Sequence, residues 1–174
     1  MPDKDKERTQ NVDCEAGLAQ RKVWVFQGNP QRYEVYNSLL DENVKEAAWL
    51  VNRYRDGIHA GDIGLIWKAR QRSGIYAVGD IISNPQMMYD LEESRKYWKY
   101  ESDRNQKLLR VRIRYKLRLS IKNPLLKTEL EKIPELRNME ILKRAIGTNF
   151  RVTPQEWQII LNLLKKRFDF KEHE

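Results

Sequence analysis

From Lys22 onward the apolar residues of this chain fall into two alternating patterns, short continuous runs and helical spacings. Lys22-Val23-Trp24-Val25-Phe26-Gln27 is a β-branched and aromatic run stopped by Gly28-Asn29-Pro30, which predicts a strand. Pro30, with Asn29 as cap, predicts a short helix to about Leu40, with Tyr33, Tyr36, Leu39 and Leu40 on one face. Glu42 to Asp56 fits two patterns: Val44, Ala47, Ala48 and Val51 read as an amphipathic helix, Trp49-Leu50-Val51 as a strand. Gly61-Asp62 then launches a strand, Ile63 to Trp67, and Ser73-Gly74 launches another, Ile75 to Ile82. The loop between them, Lys68-Ala69-Arg70-Gln71-Arg72, places three cations beside Trp67.

After Asn84-Pro85 the pattern turns polar. Gln86 to Gln106 reads as a long connecting excursion with aromatic patches at Tyr89, Tyr97, Trp98 and Tyr100 and some helical character from Asp90 to Tyr97. Strict alternation follows: Val111, Ile113, Tyr115, Leu117, Leu119 and Ile121 interleave with Arg110, Arg112, Arg114, Lys116, Arg118, Ser120 and Lys122, which predicts a long strand from Leu108 to Lys122. Its basic face suits a solvated sheet surface protected from edge pairing, and equally a stripe that tracks phosphates. Asn123-Pro124 and Pro134 introduce helical runs over Leu125 to Ile133 and Glu135 to Ala145, ended by Gly147. Thr153-Pro154-Gln155-Glu156 is a capping box with proline at the first helical position, and Trp157, Ile160, Leu161 and Leu164 form the apolar stripe of the final helix.

Strands mixed with helices in this order predict an α+β domain over residues 22–170. Met1 to Arg21 opens on alternating charges and has too few large apolar residues to offset its ordering entropy, so it reads as a flexible charged tail. The 174 residues suffice for one core. With 33% charged residues and a formal net charge of +8, the surface attracts phosphates, although many basic proteins bind no nucleic acid. The single cysteine, Cys14, excludes an internal disulfide, and no apolar run approaches a membrane span, so a cytoplasmic protein is expected.

Catalytic chemistry has little to stand on. His59 sits beside the Gly61-Asp62 turn, and Asp62 and Asp80 each follow glycine, where turn hydrogen bonds account for them. No phosphate-binding glycine loop, metal-spaced His and Cys set or nucleophile elbow occurs, so neither enzyme nor cofactor is expected. Binding is better provided for. Trp24, Trp49 and Trp67 lie on or beside predicted strands, near Gln27, Asn29, Asn52, Tyr54, Lys68 and Ser73. Any one tryptophan is explained by core packing; together they are the inventory for holding a base between aromatic faces. Arg53, Arg55, Lys68, Arg70, Arg72, Arg110, Arg112 and Arg114 are the candidate phosphate contacts.

Three stretches carry a resemblance: Lys22 to Pro30; Trp49-Leu50-Val51-Asn52-Arg53-Tyr54-Arg55-Asp56-Gly57-Ile58 with Gly61-Asp62; and Ile66-Trp67-Lys68 with Gly74-Ile75-Tyr76-Ala77-Val78-Gly79. In this order and at these distances, with Gly147-Thr148-Asn149-Phe150 and Thr153-Pro154-Gln155-Glu156-Trp157 towards the end, they resemble the EVE domain over roughly Lys22 to Phe168. The resemblance implies a PUA-like mixed β-barrel flanked by short helices, related to the YTH domains that read methylated adenine. It implies that Trp49 to Val51 enters the barrel as a strand, with a short helix near Arg53 to Asp56. It also implies a non-catalytic module that binds DNA or RNA and takes a modified cytosine or methylated adenine into a pocket, with Trp24, Asn29, Trp49, Asn52, Trp67 and Ser73 as pocket candidates; a monomer is assumed, the sequence leaving the oligomeric state open. The alternatives are a small-ligand or nucleotide sensor and a protein-interaction module.

Overall fold

The computed structural model describes residues 21–119 and 122–170. Eight strands make one mixed sheet: β1 (Val23–Gly28), β2 (Glu46–Leu50), β3 (Ile63–Lys68), β4 (Gly74–Ile81), β5 (Gln86–Met88), β6 (Leu108–Arg118), β7 (Leu125–Leu126) and β8 (Asn149–Val152). Their order is β2-β6-β4-β3-β1-β8, with β5 paired to β6 and β7 to β4. All pairs are antiparallel except β1 with β3. The sheet curls into a PUA-like half-barrel. Among the described residues six helices flank it: α1 (Val35–Leu40), α2 (Glu92–Arg95), α3 (Glu101–Arg104), α4 (Lys127–Leu130), α5 (Glu140–Lys143) and α6 (Pro154–Phe168). None is long and apolar enough to cross a membrane.

Both faces of the central strands are buried, which is why β1 and β3 read as continuous apolar runs rather than as alternation. Val23 and Val25 of β1 join Ile63, Leu65 and Trp67 of β3 in a core on the outer face, covered by Trp157, Ile160, Leu161 and Leu164 of α6. Trp24 and Phe26 point the other way, into a second core inside the curl with Ile66, Tyr76, Trp49, Val111 and Ile113. The capping box of α6 is formed in both directions: Glu156 N donates to Thr153 Oγ1 at 3.2 Å and Thr153 N to Glu156 Oε2 at 2.8 Å.

Several expected elements are displaced. The ambiguous stretch from Glu42 to Asp56 resolves as strand β2, because pairing with β6 buries Ala47 and Trp49 while Glu46 meets Arg112 and Arg114. The implied helix near Arg53 to Asp56 is absent; residues 55–57 form a turn, with Gly57 N and Ile58 N both donating to Tyr54 O. Pro30 starts a turn rather than a helix: Asn29 accepts Gln31 N at Oδ1, and α1 begins only at Val35. Leu125 and Leu126 are a strand on Gly74 and Ile75, which delays the helix expected there to Lys127. The next expected helix is reduced to a 3-10 turn, Pro134–Leu136, and α5. The tail expected over residues 1–21 falls outside the described residues except for Arg21, which donates Nε to Gly61 O and pairs with Asp80.

Candidate functional site

The edge strands β2 and β8 are joined at one end by side chains. Asn149, fully buried at the start of β8, accepts Asn52 N at 2.8 Å and Arg53 N at 3.1 Å with Oδ1, and donates Nδ2 to Leu50 O at 2.9 Å. Asn52 Nδ2 reaches Thr148 Oγ1 at 3.0 Å. From β1, Gln27 N donates to Thr148 O, and Gln27 Nε2 holds the carbonyls of Ala145 and Gly147. These links fix the end of β2, the end of β1 and the loop before β8 around a cavity of about 340 Å³.

Three aromatic rings line the cavity. Tyr33 meets Trp49 edge-on with ring centroids 6.0 Å apart and lies 4.9 Å from Trp98. Trp49 is 6% exposed, with its indole N–H on Tyr115 Oη at 3.0 Å. It packs so closely on Gly28 that a Cβ there would come within 3.2 Å of its ring. Trp98 belongs to the excursion over residues 86–106, which forms the far wall. Asp90 orients it, accepting Trp98 Nε1 at 2.8 Å on one oxygen and Ala48 N, Leu91 N and Ser94 Oγ on the other. An Arg32–Asp103 ion pair and backbone bonds from Glu34 N to Tyr97 O and from Lys99 N to Arg32 O tie the same wall to the barrel.

Two amides supply a polar edge. Asn29 Oδ1 is taken by Gln31 N at 3.0 Å, which leaves its NH₂ as a donor; Asn52 Nδ2 is taken by Thr148, which leaves its carbonyl as an acceptor. The charged groups lining the cavity are engaged with the protein. Asp103 holds Arg32, and Arg110 donates to Ala48 O at 3.1 Å with its guanidinium 5.5 Å from the Trp98 ring. Burial lowers the Arg110 pKa and raises that of the Tyr33 hydroxyl well above the phenol range, so Tyr33 is neutral.

The expected pocket residues separate by strand parity. Asn29, Trp49 and Asn52 line this cavity. Trp24 does not: its indole donates to Asp62 Oδ2 at 2.9 Å and its ring lies 5.3 Å from Tyr54 inside the core. Trp67 stands opposite Gln27 in the β1–β3 register, on the outer face, and with Ser73 lines a second cleft of about 510 Å³. Gln27, Asn29 and Thr148 are the wall the two cavities share.

Of the expected phosphate contacts, Arg110 is displaced, being 1% exposed beneath the excursion. Strand β6 therefore lacks a continuous solvated basic face; Arg118 is also drawn inward, onto the carbonyls of Leu39, Asp41 and Val44. Arg112 and Arg114 share Glu46. Arg53 pairs with Glu140 and stacks on Tyr54, and Arg55 is exposed beside His59. Around the second cleft, Arg70 donates to Gln31 Oε1, Lys68 donates to Gln71 O and lies over the Tyr76 ring, and Arg72 O accepts the Tyr76 hydroxyl. Burial, with Arg72 nearby, lowers the Lys68 pKa.

The mixed half-barrel with flanking helices is the architecture the sequence resemblance implied. The EVE domain model matches residues 22–163. The chain belongs to the EVE domain family. Solved structures share the fold at low identity. A hypothetical protein from Leishmania major is 16% identical with a TM-score of 0.61, covering 85% of this EVE domain chain and 97% of its own. A Rhodopseudomonas palustris protein is 16% identical at 0.58, covering 87% and 99%. Human THYN1 protein, solved in complex with DNA containing 5-methylcytosine, is 15% identical at 0.58, covering 87% and 99%. No curated protein matches the sequence. Tyr33, Asp90, Trp98 and Asn149 were not among the pocket candidates. The aromatic patches of the excursion and its helical character from Asp90 to Tyr97 were legible in the sequence of this EVE domain, but only folding brings them against β2.

Proposed function

We propose that this chain reads a modified nucleobase, modified cytosine or methylated adenine, that is extruded from a nucleic-acid strand into the cavity between Trp49, Tyr33 and Trp98. The observation that carries the proposal is a cavity of about 340 Å³ that combines three aromatic rings with one free amide donor, on Asn29, and one free amide acceptor, on Asn52. Cytosine and adenine both present a neighbouring amino donor and ring-nitrogen acceptor on the pairing edge, which is the complement of such a pair. Stacking contributes roughly 1–3 kcal/mol per base, offsetting part of the cost of unstacking. The human THYN1 complex, with the same fold, supports DNA and modified cytosine as the first ligand to test.

The role is non-catalytic. Asp90 and Asp103, the carboxylates at the cavity, spend their oxygens on Ala48, Trp98, Ser94, Leu91 and Arg32, and so hold walls in place. Arg53, Arg55, Lys68, Arg70, Arg72, Arg112 and Arg114 are assigned to the backbone, positioning the strand without reading its sequence.

Tryptophan fluorescence titration with short DNA and RNA, each with and without methylated or hydroxymethylated cytosine and methylated adenine, tests the reading. Quenching should depend on the modification and vanish in Trp98→Ala. Binding indifferent to the modification refutes a base reader, and tight binding of the free nucleoside without salt dependence points to a small-ligand sensor instead.

A further inference from the structure

The second cleft differs in chemistry from the aromatic cavity beside it. No acidic residue lines it, whereas Asp90 and Asp103 line its neighbour. Its lining includes Trp67, Ser73, Arg70 and Lys127. Trp67 is 1% exposed, and its indole N–H has no acceptor among the described residues, while the indoles of Trp24, Trp49 and Trp98 donate to Asp62, Tyr115 and Asp90. An indole N–H can only donate, and that of Trp67 is not among the sealed atoms that lack a partner, so it keeps contact with solvent and is available to a ligand. Ser73 engages its carbonyl with Lys127 N, so its hydroxyl is not needed for that contact. Lys127 holds only a 3.5 Å pair with Glu131 on an exposed helix turn, of a kind that is readily exchanged. The carbonyls of Ala145 and Gly147, which could repel an anion, are both covered by Gln27 Nε2.

We propose that this cleft is an oxyanion site, in which the Trp67 N–H, the Ser73 hydroxyl, Arg70 and Lys127 hold the phosphate adjoining the nucleotide whose base enters the aromatic cavity. The anion chemistry stands on the cleft alone; the identity of the strand rests on the base-reading proposal. Gln27, Asn29 and Thr148 line both cavities, which suits a base on one side of them and its own phosphate on the other. Trp67 and Ser73 thereby contact the backbone rather than the base. Arg and Lys give charge-assisted bonds, and the two neutral donors fix where the oxygens sit.

The test is NMR on the ¹⁵N-labelled full chain, with the Trp67 indole resonance assigned from Trp67→Phe. Inorganic phosphate should move that resonance at constant ionic strength while chloride does not. An oligonucleotide carrying an abasic site in place of the modified base should move it too. Trp49 and Trp98 should respond only to the modified base. The double variant S73A/R70Q, altered at two side chains outside the core, should bind the modified oligonucleotide about tenfold more weakly with its preference for the modification intact. A Trp67 resonance unmoved by phosphate and oligonucleotide, or a double variant that binds as wild type, overturns the site. Response to inorganic phosphate without response to any oligonucleotide overturns its assignment to a strand. If Trp67 responds while Trp49 and Trp98 never do, the base-reading proposal fails and the oxyanion site stands.

Discussion

A few polar side chains position the aromatic cavity, and their burial makes them sensitive to change. Asn149 closes the seam between β2 and β8 with three hydrogen bonds to backbone groups. Asn149→Ala strands two N–H groups and one carbonyl, so unfolding in denaturant should show a loss of about 2–4 kcal/mol, most of it recovered by no surface substitution nearby. Gly28 is constrained differently: a Cβ there would lie 2.5 Å from Val35 Cγ2 and 3.2 Å from the Trp49 ring. Gly28→Ala should cost about 1–3 kcal/mol by overpacking and should shift Trp49 fluorescence, since the ring must move to admit the methyl. A variant with wild-type stability and spectrum would show that the ring is not held where the structure places it.

Among the elements, the excursion over residues 86–106 and helix α6 make opposite cases. The excursion has little regular structure, with β5, α2 and α3 each of three or four residues, yet it supplies a wall of the cavity. Trp98 within it is oriented by Asp90, so Asp90→Ala should loosen Trp98 and weaken base binding at least tenfold, while far-UV circular dichroism is unchanged because Arg32–Asp103 and the backbone bonds still tie the wall to the barrel. Helix α6 needs no such support to form: Thr153→Ala should cost about 1 kcal/mol in thermal or chemical denaturation, the ordinary value of a capping side chain. Propensity located α6 because cap, proline and stripe all lie within one segment. It could not locate the excursion's role, because Asp90 and Trp98 are meaningful only beside Ala48 and Tyr33.

For the whole molecule, charge sets the dependence on conditions. Among the described residues three carboxylates are held below their ordinary range. For Asp41 the main cause is the Tyr97 hydroxyl, helped by Asn43 N and Lys96. For Glu46 and Glu140 burial pushes upward, but Arg112 with Arg114 in the first case, and Tyr54 with Arg151 and Arg53 in the second, more than offset it. A depressed folded-state pKa adds stability that is fully present above the ordinary value, 4.5 for Glu, and disappears as pH falls through the folded one. The thermal midpoint should therefore be flat above about pH 5 and fall below about pH 4, with a shallower fall in Glu46→Gln. An unchanged slope in that variant would remove Glu46 from the account. With a formal net charge of +8, duplex binding through Z phosphates should weaken with salt at a logarithmic slope of about −0.9Z, and Arg70→Gln should reduce that slope by about one.

Period and punctuation by themselves determined the strands β1, β3, β4 and β6 and the helix α6, since each of these is encoded in residues near one another in the chain, and a set of short motifs in order carried the resemblance to the EVE domain. Parity along a strand is also local, and it put Trp24 and Trp67 on opposite faces once the parallel β1–β3 register was known. Only the tertiary structure decided which face opens to a cavity. It sent Trp24 to Asp62 in the core, buried Arg110 beneath the excursion, and split the expected single pocket into an aromatic cavity and a cationic cleft. The physical reason is that a cavity belongs to several segments at once: Gln27, Trp49, Trp98 and Thr148 are far apart in sequence, and nothing short of the folded register brings them to one wall.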